Sequence, residues 1–316
     1  MRRATGILLL FGAAPLLVAQ EQRKSAEAIP LFEKAYQRDP SDYANGYNLA
    51  LAYLQSGNTA KSRKVLAALS SRADKAELHN LLADVEEAEG HVDEAARQYE
   101  IAARMDPSEK NLLDLGSDLD LHRGFEPALK VFEFGVERYP QSAKLRVGLG
   151  VAHYSLGQYD AAVESLCQAV DLDPGDIKAL DFLGKMYDVS PQYADEVTKR
   201  LARFVQIYPR SSAANYYYAL SLRKRARPSE SNGAEQFLLR AVALKPDFAD
   251  AHFELGMLYE ERSQNSEAVR EYELATKLRS DFAKAHYHLA RLYRKAGREA
   301  LARKEFRAFE ALRAKP

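Results

Sequence analysis

The sequence predicts an all-α protein made of repeated pairs of antiparallel helices, and three observations lead to that fold class. Glycine and proline are scarce, at 16 and 12 among 316 residues, whereas the residues that favour helices are abundant. The alternation of polar and apolar residues that is typical of strands is not found. Proline, glycine and alanine signals recur at a nearly constant spacing. Because each repeat packs only on its neighbours, such an array can exceed the length of one ordinary domain.

The first twenty residues are typical of an export signal. Arg2 and Arg3 precede an apolar run over residues 7–19 that carries no charge. A helix of this length rises only about 20 Å, which is too short for the ~30 Å core of a bilayer. We therefore interpret residues 1–20 as a secretory signal peptide, cleaved after Ala19 or Gln20, and expect an exported protein that is periplasmic or secreted. A retained N-terminal anchor and a first buried helix are the alternatives.

Prolines mark the ends of successive repeats. They stand at Pro40, Pro107, Pro140, Pro174, Pro209 and Pro246. The gaps between them are 67, 33, 34, 35 and 37 residues, so the first gap spans two periods. Each proline is expected to end the second helix of a pair, because it has no amide hydrogen to donate.

The interior of each period is also patterned. A small residue follows leucine in the first helix, as at Gly256, and a glycine such as Gly90 then marks a turn. The second helix carries alanine, a large residue four positions later and usually a small residue three further on, as in Ala162, Leu166 and Ala169. These spacings place the residues on one helical face, where small side chains allow two helices to approach closely.

This pattern resembles the tetratricopeptide-repeat family over about residues 24–316. The resemblance implies a right-handed superhelical solenoid with an N-terminal half repeat, formed by a lone capping helix over about residues 24–38. About eight repeats follow, beginning near Tyr43, Ala76, Glu109, Ala143, Ile177, Ser212, Ala249 and Ala283. The Ser212 repeat departs from the pattern, because it has three extra residues in the turn between its helices.

Charge is distributed unevenly although the formal net charge is zero. Residues 76–174 contain 8 Lys and Arg against 20 Asp and Glu, whereas residues 175–316 contain 26 against 19. One interpretation is that these charges lie on solvated outer faces. The other is a molecule with an acidic middle and a basic end, which favours oppositely charged partners or head-to-tail self-association.

Chemistry is not indicated anywhere in the chain, and we predict no enzyme, no cofactor and no metal site. Phosphate-binding loops, nucleophile motifs and zinc spacings of Cys and His are not found. His252 and His286 occupy the same place in successive repeats and are interpreted as packing residues. The one cysteine, Cys167, lies between Leu166 and Val170 and is predicted to be a buried, inert thiol.

The family resemblance implies that binding occurs in a concave groove. Its wall is expected at the second, fifth, ninth, twelfth and thirteenth places of the first helix of each repeat. In the acidic region these places hold Glu77, Asp84, Glu87 and Asp120. Near the C-terminus they hold Tyr216, Arg223, Lys224, Phe253, Met257, Lys284, Tyr287, Arg291, Arg294 and Lys295.

A basic wall with aromatic residues suits an acidic or C-terminal peptide segment. Solvent-facing charge without a partner is the alternative, and nucleic acid is not expected because an exported protein rarely meets it. We therefore expect a scaffold that binds a protein or peptide in its groove. The other hypothesis is an accessory subunit of an envelope polysaccharide-export or outer-membrane assembly machine.

Overall fold

The computed structural model describes the backbone of residues 15–186, 190–225 and 232–314, and the side chains of residues 26–186, 190–223 and 233–314. Over these ranges the chain forms seventeen α-helices, one short 3-10 helix and no strand. The all-α fold class is therefore confirmed. The chain divides into two compact units, the first ending at Leu172 and the second starting at Asp173.

Unit 1 contains nine helices. They are α1 (Pro15–Arg38), α2 (Tyr43–Gln55), α3 (Thr59–Ser70), α4 (Ala76–Glu89), α5 (Val92–Met105), α6 (Glu109–Leu121), α7 (Phe125–Arg138), α8 (Ala143–Ser155) and α9 (Tyr159–Leu172). Consecutive helices pack against each other, and two apolar clusters form the core. Leu66 and Leu81 are buried in the first cluster, and Phe132 is buried in the second. The single thiol, Cys167, is buried on α9.

Unit 2 contains eight helices and the 3-10 helix Pro191–Tyr193. The helices are α10 (Ile177–Lys185), α11 (Ala194–Ile207), α12 (Ser212–Arg225), α13 (Asn232–Leu244), α14 (Ala249–Glu261), α15 (Asn265–Leu278), α16 (Ala283–Lys295) and α17 (Glu299–Arg313). Its core consists of two apolar clusters, one with Leu238 and Leu255 and the other with Tyr272 and Leu289. A Cβ atom at Gly256 would lie 2.6 Å from the Tyr272 ring, which explains why the repeat pattern has a small residue at this place.

The turn after the first helix of a pair uses a left-handed backbone. Gly90 has a φ of +84°, as expected for a glycine that ends a helix. Arg123 and Ser263 occupy the corresponding place in two other repeats and keep the same conformation, with φ of 65° and 61°. The tertiary structure therefore imposes this turn even where the sequence does not favour it.

The N-terminal helix differs from the sequence expectation. Helix α1 starts at Pro15 and continues to Arg38, so it is longer than the predicted helix over residues 24–38. Residues 1–14 lie outside the described part of the chain, and the two predicted cleavage points fall within the bounds of α1. Among the described helices, none is long and apolar enough to cross a membrane.

Candidate functional site

Helix α16 exposes the most basic part of the predicted groove wall. Lys284, Arg291, Arg294 and Lys295 all reach solvent on this helix. Arg291, Arg294 and Lys295 line one open cleft of about 420 Å³, together with Glu260, Asn265 and Leu292. Three of the residues selected from the sequence are thus brought together on one surface of unit 2.

Aromatic rings support the cations of α16. Tyr287 remains 38% exposed and packs on Phe309, with 5.2 Å between ring centroids. The guanidinium of Arg291 lies 5.7 Å from the centroid of Tyr287, and that of Arg294 lies 5.3 Å from the centroid of Phe306. Stacking restricts these side chains, and Nη1 of Arg291 also lies 3.8 Å from Oε1 of Glu260.

Two residues assigned to the groove wall are engaged inside unit 2, which corrects the sequence expectation. Phe253 is 92% covered, and its ring centroid lies 4.7 Å from that of Phe282. Arg223 donates hydrogen bonds to Glu254 and, at 2.8 Å, to Glu261. The Phe253 ring is packed against a neighbouring helix and the Arg223 guanidinium is paired with two carboxylates, so neither offers a free binding surface.

The remaining residues of the predicted wall are less exposed or not described. Tyr216 is half-buried between Tyr217 and Phe248, with centroid distances of 5.3 Å and 4.8 Å. Met257 is half-buried against the core of unit 2. The side chain of Lys224 lies outside the described residues.

The two histidines at equivalent places make equivalent contacts. His252 places Nδ1 2.7 Å from Glu271 and Nε2 3.1 Å from the carbonyl oxygen of Pro246. His286 places Nδ1 2.6 Å from Glu305 and Nε2 3.1 Å from the carbonyl oxygen of Ser280. The hydrogen bond with Glu271 raises the pKa of His252 above its usual range. Both histidines therefore have the packing role that the repeat pattern predicted.

The acidic residues predicted in unit 1 have different environments. Glu77 is exposed, whereas Asp84 and Asp120 are half-buried. Burial raises the pKa of Asp84 to about 6, although the carboxylate accepts a hydrogen bond from the Tyr99 hydroxyl at 2.6 Å. Burial also raises the pKa of Asp120. Asp84 and Asp120 are therefore partly desolvated, unlike the exposed Glu77.

Glu87 lies in a cluster with Asp118 and His122, which we name the α4–α6 triad. The Nε2 atom of His122 is 2.7 Å from Oε1 of Glu87 and 3.8 Å from Oδ1 of Asp118. Burial, and then repulsion from Glu87, raise the pKa of Asp118 to about 7. The sequence indicated only Glu87, because the other two residues are outside the expected wall positions.

A signal for Asp118 is nevertheless present in the sequence. It occupies the tenth place of the first helix of its repeat, and this place is buried in all eight repeats. The residues there are Ala52, Val85, Asp118, Ala152, Met186, Ser221, Leu258 and Leu292. Asp118 is the one ionisable side chain at a place that holds an apolar or small residue in the other seven repeats.

A second cluster on α4 contains its own cation, and we name it the Arg63 cluster. Arg63 donates through Nη1 to Glu86 and through Nη2 to Glu89, both at 2.5 Å. His91 Nδ1 is 2.8 Å from Glu86. The guanidinium lowers the pKa of Glu86 and donates to both carboxylates, so each carboxylate of this cluster has a cationic partner within the fold.

The fold and these surfaces define a helical-repeat protein, and comparison with known families gives the same class. Family models described as tetratricopeptide repeat match residues 19–85, 113–177 and 254–316. These ranges cover more than half of the sequence, so the chain belongs to the tetratricopeptide-repeat family. The matched models describe repeats that act as scaffolds and indicate no catalytic family.

One curated protein and several solved structures are similar to this chain at low identity. The chain is 29% identical over 137 residues to "Protein CTR9 homolog" of Arabidopsis thaliana, which covers 42% of this chain and only 12% of that protein. A tetratricopeptide repeat protein from Parabacteroides merdae is 15% identical with a TM-score of 0.58, over 75% of this chain and 93% of that chain.

Two further solved structures have the same fold. The C-terminal part of a repeat-containing protein from Cytophaga hutchinsonii is 16% identical with a TM-score of 0.54, over 87% of this chain and 97% of that chain. A chain of the APC/C hetero-tetramer Cut9-Hcn1 is 15% identical with a TM-score of 0.52, over 86% of this chain and 53% of that chain.

Proposed function

We propose that the protein is a scaffold for protein–protein interaction and that the cleft on α16 binds an acidic peptide segment. The observation that supports this proposal is the convergence of Arg291, Arg294 and Lys295 on one open cleft. These three cations outnumber Glu260, which is the only carboxylate among the residues that line the cleft. The local charge therefore favours carboxylate or phosphate groups of a partner.

The aromatic support also suits an extended peptide. Tyr287 presents an exposed apolar ring beside Arg291, so a partner can combine an acidic side chain with an apolar one. Recognition of acidic motifs by grouped basic residues is a recurring mode of peptide binding. Long-range attraction would raise the association rate and make binding sensitive to salt.

Charge reversal tests this proposal. The triple variant Arg291→Glu, Arg294→Glu and Lys295→Glu should weaken binding to an array of acidic peptides by at least about tenfold, because attraction becomes repulsion. The matched control reverses Arg298, Arg303 and Arg307, which are exposed outside the cleft. Far-UV circular dichroism should show equal helicity in both variants. Equal peptide binding by wild type and the cleft variant would contradict the proposal.

We also propose that the protein is exported, on the basis of the charged and apolar pattern of residues 1–20. An accessory role in an envelope polysaccharide-export or outer-membrane assembly machine depends on that step. N-terminal sequencing of the protein from its native host should find a start near Gln20. Bulk protein that retains Met1 or Arg2 would contradict export with cleavage. Sedimentation analysis of the purified protein would show whether a second copy is the partner.

A further inference from the structure

We propose that the α4–α6 triad, formed by Glu87, Asp118 and His122, binds one divalent transition-metal ion of the zinc class. The three side chains come from α4, from α6 and from the residue that ends α6. All belong to unit 1, and their ligand atoms lie within 4.8 Å of one another. One imidazole nitrogen and two carboxylates form a donor set that zinc accepts.

The distances in the triad are close to those of a metal site. Ligand atoms around a tetrahedral zinc ion are about 3.3 Å apart, given bonds of about 2.0 to 2.1 Å. The observed distances from His122 Nε2 are 2.7 Å to Glu87 and 3.8 Å to Asp118. Each of these two atom pairs therefore has to change its separation by only about half an ångström to hold the ion. Rotation of the exposed end of His122 can supply this adjustment, because its side chain is 30% exposed.

Asp118 gives an independent indication that a ligand is bound here. Only 4% of the residue is exposed, and neither of its carboxylate oxygens receives a hydrogen bond from the described residues. A buried carboxylate without a donor is costly and uncommon in native proteins. The tenth place of the first helix holds an apolar or small residue in the other seven repeats. Departures from a local packing rule of this kind are expected at functional sites.

The charge distribution of the triad also favours a cation. In the Arg63 cluster, on the same helix, a guanidinium contacts both carboxylates. For Glu87 and Asp118, His122 is the only basic side chain within ion-pair distance among the described residues. A divalent ion would neutralise both carboxylates and use the neutral imidazole as its third ligand. The partly exposed His122 side chain leaves a fourth position for water or a partner group.

Zinc titration of the complete, untagged chain tests the proposal. Calorimetry at neutral pH should show Zn²⁺ binding that Asp118→Asn and His122→Gln each weaken by at least about tenfold, because each removes a ligand. The matched control is Glu89→Gln with His91→Gln, which changes the Arg63 cluster and should leave zinc affinity unchanged. Circular dichroism should show that the variants remain folded.

Cobalt provides a second measurement that does not depend on stability. Co²⁺ bound to the wild-type chain should give a visible absorption band that changes in His122→Gln and is lost on addition of Zn²⁺. Failure of the wild type to bind either ion would overturn the proposal, and a proton shared by Glu87 and Asp118 would then account for the buried pair. Zinc affinity that is unaltered by Asp118→Asn would also overturn it.

Discussion

Helix α4 contributes carboxylates to two acidic clusters, and the two clusters differ in whether an arginine pairs with those carboxylates. Glu86 belongs to the Arg63 cluster and Glu87 belongs to the α4–α6 triad. Successive residues of a helix point about 100° apart, so these neighbours face α3 and α6 respectively. Arg63 donates to Glu86 from α3, whereas α6 brings Asp118, whose carboxylate accepts no hydrogen bond from the described residues, next to Glu87. A buried carboxylate is therefore accommodated where the fold supplies a cation, and leaves a site for an ion where it does not.

The strongest test of this comparison introduces a new buried carboxylate. Ala162 has no exposed surface and lies on α9, so Ala162→Glu would place a charge in a tightly packed contact. We expect a loss of about 3 kcal/mol or more in the free energy of unfolding, measured by urea denaturation. Ala67→Glu, at an exposed position on α3, is the control and should change stability little. Equal stability of the two variants would show that burial alone does not penalise a carboxylate in this fold.

Removal of the internal cation should have the next largest effect. Arg63→Ala leaves Glu86, whose side chain is only 6% exposed, without its guanidinium. We expect a loss of about 2 kcal/mol, less than for a fully buried pair, because Arg63 itself is 38% exposed and partly screened by water.

Urea denaturation of Arg104→Ala gives the control for that variant. Arg104 pairs with Glu100 at 2.5 Å on an exposed face, so its loss should be much less destabilising. Equal effects of the two arginine variants would contradict the distinction between a buried and an exposed cluster.

In the α4–α6 triad, removal of a charge is expected to stabilise the protein rather than destabilise it. Asp118→Asn removes a buried charge and supplies an amide that can donate to Glu87, so the metal-free protein should gain about 1 kcal/mol in unfolding free energy. The measurement is thermal or urea denaturation in the presence of a chelator. Asp114→Asn is the control with a partnered carboxylate, since Asp114 accepts hydrogen bonds from Asn80 and Lys110, and it should destabilise. Destabilisation by Asp118→Asn would show that the carboxylate has a structural role in the metal-free state.

The smallest expected effect concerns the pair formed by His252 and Glu271 in unit 2. Because the bond with Glu271 raises the pKa of His252, the pair stabilises the fold fully below the ordinary histidine pKa of about 6.5, and this contribution is lost as pH rises through the raised value. We expect Glu271→Gln to cost less than about 1 kcal/mol at pH 5 to 6, given partial screening by solvent, and still less above pH 8. Urea denaturation across this range measures it, with Glu267→Gln on α15 as the control. If the loss in unfolding free energy caused by Glu271→Gln were the same at every pH, the charged pair between His252 and Glu271 would be contradicted.

Local signals in the sequence are sufficient to predict the fold class. A recurring proline, a turn glycine and small residues such as Gly256 predict paired helices, because each signal acts locally through backbone geometry or close approach. The packing role of His252 and His286 could also be predicted, since both lie at the same place of successive repeats. The exposed cations of α16 were selected in the same way, from their places in the repeat.

Which of the selected residues are accessible to a partner depends on tertiary packing. Phe253 and Arg223 occupy wall positions in the sequence, but neighbouring helices bury the ring and pair the guanidinium. Asp118 and His122 are four positions apart, but Glu87 lies 31 and 35 positions before them, and no local spacing rule for metal ligands covers those two separations. The physical reason is that repeat stacking brings corresponding places of successive helices together, whereas the side chains at those places decide whether they satisfy one another or leave a charge for a ligand.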